Sequence, residues 1–478
     1  MNLPTITTKS DSFVLSFDEI LDRKLGAGKY QWIAMLFLCF VDLNDGSELL
    51  SMSLILPIIK REWELSNFSV ELLSSIFYFG MMIGAQITGS LADRKGRKNT
   101  IIYASILQFI VGISFSLANG IFFLLVLRFL YGFVFGFSLP LSISMVSEIF
   151  PLKYRGKCII LTNFSTSIGR LYAILLAYII FTDYHTGNWR LLMIMCSFSS
   201  MVVVIGTYFF VKESPRFLIS AGRFEEAFKI IDEIGIINKG SDYKRLSENE
   251  KIGLKNYQEA TYKAHEQANL SMIFSKKCLP VTLRLWALWF SFIFFAFGSL
   301  VVLPFIFADQ KKGFAAILIT IAGEVPALFV ALFLIDLQNF GRKNSLTLGF
   351  LSMAFLSSLA YVFSASSLFE ILLSLQRFVL KITASMLVPL TSEIYPTNYR
   401  TVGYGWATSI GRLAGTISPY VLLPLFAWDV YSSFLVFAVL FGVSTFACHS
   451  LRYETADKYL DSFLVDEELT ILTPELKN

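Results

Sequence analysis

The stretch GSLADRKGRKNT, Gly89 to Thr100, carries charge on five of the six residues from Asp93 to Lys98. The chain around it is 478 residues long, 55% hydrophobic and only 16% charged, with a mean hydropathy of +0.62. The apolar runs on either side are close to the roughly 20 residues a helix needs to cross a bilayer. A charged hairpin between two such runs predicts two membrane helices joined at the water interface.

The same pattern repeats along the chain. Apolar spans are predicted near 31–58, 70–92, 99–118, 121–147, 158–181 and 188–211. Six more follow near 281–306, 313–335, 344–363, 367–391, 401–425 and 429–450. The predicted organisation is an N-terminal tail (1–30), a six-helix half (31–211), a polar linker (212–280), a second six-helix half (281–450) and a C-terminal tail (451–478). In the linker, GRFEEAFKIIDEIG sets Phe224, Ala227, Phe228 and Ile231 at helical spacing, which predicts an amphipathic helix. For 237–275 a solvated segment and a helical one are both open.

Lys and Arg collect on one set of loops, at Arg94, Lys95, Arg97, Lys98, Lys153, Arg155, Lys157, Arg342, Lys343 and Arg400. By the positive-inside rule that side, with both termini, is cytoplasmic. The membrane is the plasma membrane or that of an intracellular vesicle. No signal peptide is predicted in the polar first 30 residues. One sequon, Asn67-Phe68-Ser69, falls on the opposite side.

The composition narrows the function. A net charge of +4 leaves no nucleic-acid footprint. Five scattered cysteines and three distant histidines lack metal-ligand spacing, so no metal or other cofactor is predicted. No Walker loop or nucleophile–base arrangement points to an enzyme.

The halves echo one another. SEIFPLKYRGK (147–157) returns as SEIYPTNYRTV (392–402), SIGRL (167–171) as SIGRL (409–413), and LADRKGRKN (91–99) as LIDLQNFGRKN (334–344). Gly96 and Gly341 lie 245 positions apart, as do Glu148 and Glu393. The echo at 334–344 has two extra residues between its acid and its glycine. Two related six-helix units around a midplane site is a common transporter plan.

With these motifs the chain resembles the major facilitator superfamily. GSLADRKGRK is similar to its signature between helices 2 and 3. RFLYGFVFGFSLPLSISMVSEIFPLKYRGK and KESPRFL resemble the sugar-porter and organic-ion-transporter branch. GAGKYQW, NDGSELLSMSLILP, TLRLWALWFS and GEVPALFVALFLID are similar to the synaptic-vesicle-two-related group, which includes nicotinate-type transporters. The resemblance spans about residues 20–455. It implies an all-α membrane fold of 12 helices in two pseudo-symmetric halves, and alternating-access transport. Helix 7, WFSFIFFAFGSL, lacks the glutamines of hexose porters, which argues against a hexose.

The resemblance also implies a cytoplasmic gate network of Asp93, Arg94, Arg97, Glu148, Arg155, Glu213, Arg216, Asp336, Arg342, Glu393 and Arg400, latching the halves together in the outward-facing state. Topology alone does not require acids at matching places in both halves.

Ionisable residues at bilayer depth mark function by default. Helix 1 carries Asp42, Asp45 and Glu48 three residues apart, on one stripe. Helix 8 carries Glu324 before Pro326. The bases are Arg128, Arg170, Arg377, Lys381 and Arg412. In one reading Asp45, Glu48 or Glu324 carries a proton, and Arg412, with Arg170, binds an anionic solute through its planar fork. In the other, acids and bases pair and hold helices together. Arg128, near the outer end of helix 4, fits that structural role. Asn163 and Asn44 are candidates to hydrogen-bond the solute, and Trp406, Tyr404, Trp289 and Phe290 to line its path. Because bases outnumber acids, the predicted function is proton-coupled transport of a small organic anion such as a monocarboxylate, by a monomer. The alternatives are an organic-cation or sugar carrier of the same fold, or a membrane scaffold that no longer transports.

Overall fold

In hydrocarbon every backbone N–H and C=O must be satisfied within the chain, so apolar runs of this length become helices. The computed structural model describes residues 15–181, 187–264, 273–275, 278–307, 313–334, 341–366, 368–395, 400–429 and 431–451. Within these it omits the side chains of 88–94, 139, 259–264 and 400–401.

The spanning helices are α1 (Lys29–Glu62), α2 (Asn67–Lys95), α3 (Arg97–Ser114), α4 (Ile121–Ile149), α5 (Leu152–Ile180) and α6 (Trp189–Phe210). The second half comprises α7 (Leu279–Phe307), α8 in two pieces (Gly313–Ala322 and Glu324–Leu334), α9 (Arg342–Val362), α10 (Leu368–Ile394), α11 (Arg400–Trp428) and α12 (Ser433–His449). At 34 residues, α1 is about 50 Å long, so it runs well beyond the hydrocarbon. Helix α5 starts at Leu152, six residues before the predicted span. Its charged first turns continue the helix into the interface, where a hydropathy window does not reach.

Two helix pairs approach at glycines. A Cβ on Gly46 of α1 would sit 1.9 Å from the Thr166 carbonyl oxygen of α5, and one on Gly169 would sit 1.9 Å from that of Leu43. Gly132 and Gly136 of α4 face the Phe77 and Met81 carbonyls of α2 at 2.1 and 2.2 Å. Such contacts let backbones pack without an intervening side chain. Gly415 has a different role from Gly132, because its face meets Tyr78 of the other half.

The end of the bundle carrying Arg97 and Arg342 is here named the basic end. There, short helices cover the first half. Ser214 caps the helix Pro215–Ser220 by accepting the Phe217 N–H. The predicted amphipathic helix runs Phe224–Lys239 and buries Ala227, Phe228, Ile231 and Ile234. The segment left open at 237–275 contains a helix at Glu248–Ala264.

The N-terminal region is more than a polar tail. Phe17–Ile20 forms a helical turn with a Ser16–Glu19 capping box, followed by a π turn at Leu21–Leu25. Phe17, Ile20, Leu21 and Leu25 are buried. Asp18 accepts from Arg155 (2.7 Å) and pairs with Arg216, while Lys24 binds Glu250 at 2.6 Å. The apolar residues that dock it are too few to register in a hydropathy window.

The halves meet mainly at the end opposite the basic end. Tyr420 of α11 accepts a hydrogen bond from Ser75 of α2 at 2.9 Å and lies 6.3 Å from Phe68. Phe181 faces Phe314 at 5.7 Å, and Tyr78 stacks on Phe297 at 4.6 Å. Nearer the basic end, Gln86 of α2 donates to Ser409 of α11 at 2.9 Å.

Candidate functional site

Helix α1 turns its acidic stripe into its own half. Asp42 accepts from Ser142 of α4 at 2.8 Å. Asp45 faces Gln108 of α3, 3.5 Å away. Glu48 pairs with Arg128 of α4 at 3.2 Å. All four charged groups are buried. One carboxylate oxygen of Asp42 and one of Asp45 have no hydrogen-bond partner. Neither acid has an ion-pair partner among the described residues. Asn44 is engaged within its own half: it donates to the Tyr131 hydroxyl and accepts from Ser199 and Ser200, tying α1 to α4 and α6.

A second cluster lies between the halves. The break in α8 at Gly323 puts Glu324 at the start of a new helical piece, pointing at α5. Glu324 Oε2 accepts from Arg170 Nη2 and from Ser167 Oγ, each at 2.5 Å. Arg377 of α10 approaches the other oxygen at 3.7 Å and is anchored on Ser299 at 2.9 Å. One turn further along α10, Lys381 crosses to α5, donating to Thr166 Oγ1 (2.8 Å) and to the Asn163 carbonyl (3.1 Å). Two guanidiniums thus flank one carboxylate at an inter-half junction, with the Lys381 ammonium one turn along α10.

The remaining candidates are dispersed. Arg412 is buried near Tyr404, and no described hydrogen bond or ion pair involves its side chain. Asn163 contributes its backbone carbonyl. Trp406 is 40% exposed and stacks on Trp286, toward the basic end. Trp289 donates to Thr391 at 3.0 Å and meets Tyr404 edge-on. Phe290 stacks on Phe294 of its own helix.

At the basic end the repeat is visible in atoms. Arg97 pairs with Glu148, and Arg342, 245 positions later, pairs with Glu393. Both pairs close within their own half. Glu148 also accepts from Ser214. Glu213 Oε1 accepts the Arg97 and Lys98 N–H groups at 3.0 and 3.1 Å, capping α3. Gly96 adopts φ +88°, and a Cβ there would sit 2.2 Å from Glu213. Arg155 and Arg216 are engaged by Asp18, a partner that sequence reasoning missed; the intervals of 137 and 198 residues leave no local signal. Asp336 lies outside the described residues, with the rest of the two-residue insertion, and so do the side chains of Asp93, Arg94 and Arg400.

Known proteins share this architecture. The sugar (and other) transporter family matches residues 25–466. The synaptic vesicle 2-related protein of Xenopus laevis is 25% identical over 460 residues, covering 91% of this chain and 80% of that one. The niacin transporter NiaP of Acinetobacter baylyi is 27% identical over 456 residues, covering 92% and 98%. Among solved structures, a partially occluded, inward-open form of the xylose transporter XylE from E. coli superposes with a TM-score of 0.73 at 18% identity, covering 90% of this chain and 99% of that one. Two six-helix halves, matched charged pairs at one end and this family match make the chain a multi-pass membrane transporter of the sugar (and other) transporter family, within the major facilitator superfamily.

Proposed function

We propose that this transporter is a monomeric, proton-coupled carrier of a small organic monocarboxylate, with its basic end in the cytoplasm. The observation that carries this reading is the junction of Arg170 and Arg377 about Glu324, with Lys381 one turn along α10. Its formal charges leave a surplus of positive charge between the halves, where a solute must bind for alternating access. A carboxylate presents the complementary charge, and a guanidinium fork suits its geometry. The niacin transporter among the relatives carries a solute of this class by its name.

Asp45 is the proposed proton carrier. A carboxyl buried without a cationic partner is held at least cost when it carries a proton. Arg412 is proposed as a second, more peripheral anion contact. The intra-half pairs Arg97–Glu148 and Arg342–Glu393 would exchange partners across the halves when the basic end closes, with Asp93, Arg94, Arg155, Glu213, Arg216, Asp336 and Arg400 completing the latch.

A cation carrier is the second reading, favoured by Asp42 and Asp45 having no ion-pair partner. Uptake of labelled nicotinate into proteoliposomes under an imposed pH gradient tests both. The anion reading expects gradient-driven nicotinate uptake, lost in Asp45→Asn. Uptake of an organic cation but not nicotinate would replace it with the cation reading. Nicotinate uptake indifferent to both the gradient and Asp45→Asn would remove the proton.

A further inference from the structure

In a low-dielectric site a guanidinium is held best by a carboxylate taking two parallel N–H bonds. Arg170 is not held that way. Its Nη2 serves both Glu324 (2.5 Å) and Ser167 (3.3 Å), while its buried Nε has no acceptor. Glu324 has the matching defect: Oε1 accepts no hydrogen bond, although Arg377 Nη1 lies 3.7 Å away. Arg170 is 8% exposed and Glu324 0%, so water does not readily repair either deficit.

The chain of origin matters as much as the bond count. Arg170 belongs to α5 in the first half, whereas Glu324 and Arg377 belong to α8 and α10 in the second. The Arg170–Glu324 bond therefore ties the halves together, and a Glu324–Arg377 bond would not.

We propose that Glu324 is an internal stand-in for the transported carboxylate. The solute's carboxylate takes Arg170 through Nε and Nη2 as a bidentate pair, and Glu324 moves the short distance to Arg377. Binding then exchanges an inter-half ion pair for one inside the second half. The solute releases the tie that its own site supplies, so loading and the freedom of the halves to rock are one event. Ser167 is the positioning residue, since its hydroxyl holds Glu324 on Arg170 while the site is empty. The inference rests on the monocarboxylate reading and adds a competitor to it.

The test is equilibrium binding of labelled nicotinate to the purified, full-length transporter in nanodiscs. Removing a charged competitor from the site should tighten binding by about tenfold or more. Glu324→Gln is expected to do this while slowing nicotinate exchange, because a solute held without a competitor leaves more slowly. Ser167→Ala should tighten binding by a smaller factor, about threefold, and it carries the test if Glu324→Gln fails to fold. Arg377→Met should weaken binding, having removed the place to which Glu324 retreats. If the wild type binds nicotinate but Glu324→Gln and Ser167→Ala bind it equally or less tightly while melting like the wild type, the stand-in is refuted and the monocarboxylate reading stands. If neither the wild type nor any variant binds nicotinate, benzoate or lactate, the monocarboxylate reading falls, and the stand-in with it.

Discussion

Replacing Arg128 by Met isolates what the Glu48–Arg128 pair does. Both side chains are almost fully buried, at 2% and 4% exposure, and meet at 3.2 Å. The guanidinium also lies 4.5 Å from the centre of the Phe77 ring. Methionine keeps the stem's packing and removes the charge. Glu48 is then left as a buried charge without a partner, at a cost of about 3–5 kcal/mol. The lost cation–π contact adds about 1–2 kcal/mol. A total of about 4–7 kcal/mol should lower the apparent Tm, followed by tryptophan fluorescence in detergent, by an amount on the order of 10 °C. The double variant Glu48→Leu/Arg128→Met should recover most of this, because an apolar pair has no ionic desolvation to offset. A single variant that melts like the wild type would refute the argument, as would a double variant no better than the single. Uptake then assigns the pair: a stable double variant that still transports makes it structural, and one that does not gives Glu48 a part in coupling.

Gly169→Val forces a side chain into the 1.9 Å gap against the Leu43 carbonyl, so α1 and α5 must separate; a loss of several kcal/mol in the same melting assay is expected. Asp18→Asn removes the shared partner of Arg155 and Arg216, and limited proteolysis should then cut within residues 15–28 at least several-fold faster, with the rest of the bundle unaffected. Burial pushes the Glu250 carboxyl up, but hydrogen bonds from Lys24 and Ser247 outweigh this and hold it below the ordinary range. Its contribution to docking is therefore complete above the unfolded value of about 4.3, and it is lost as pH falls through the depressed folded value. Pepsin cleavage of the N-terminal segment should accelerate only at the acid end of a pH 2–5 series, and Lys24→Met should make cleavage less dependent on pH.

The spans were legible because bilayer thickness imposes a length that composition reveals directly, and the halves because Gly96, Glu148 and their echoes keep a constant interval. The acidic stripe of α1 was legible as a stripe, since three-residue spacing places it on one face. Its direction was not: that Asp42, Asp45 and Glu48 face α3 and α4 depends on how Gly46 and Gly169 seat α1 against α5. The ranking of bases also changed. Arg170 and Arg412 share a repeat position, yet it is Arg170, with Arg377, that the packing sets against Glu324. A gathering of residues from α5, α8 and α10 has no sequence period to betray it. Glu324 and Pro326 did signal an irregular helix 8, and the break falls at Gly323.

The burial of three acids on α1 bears on how the protein is made. Each acidic residue near the middle of a span costs on the order of 2.5–3.5 kcal/mol to insert. By length and composition ten of the described helices are apolar enough to cross a membrane, and α1 is not one of them. Of the six spans of the first half, α1 is thus the one not apolar enough by that measure to stay in lipid alone. Its compensation, Arg128, Gln108 and Ser142, sits on α3 and α4, which are synthesised later. Retention of α1 in the bilayer therefore has to wait for its neighbours, and substitutions on α4 should show up as a misrouted N-terminus before any carrier exists to be assayed.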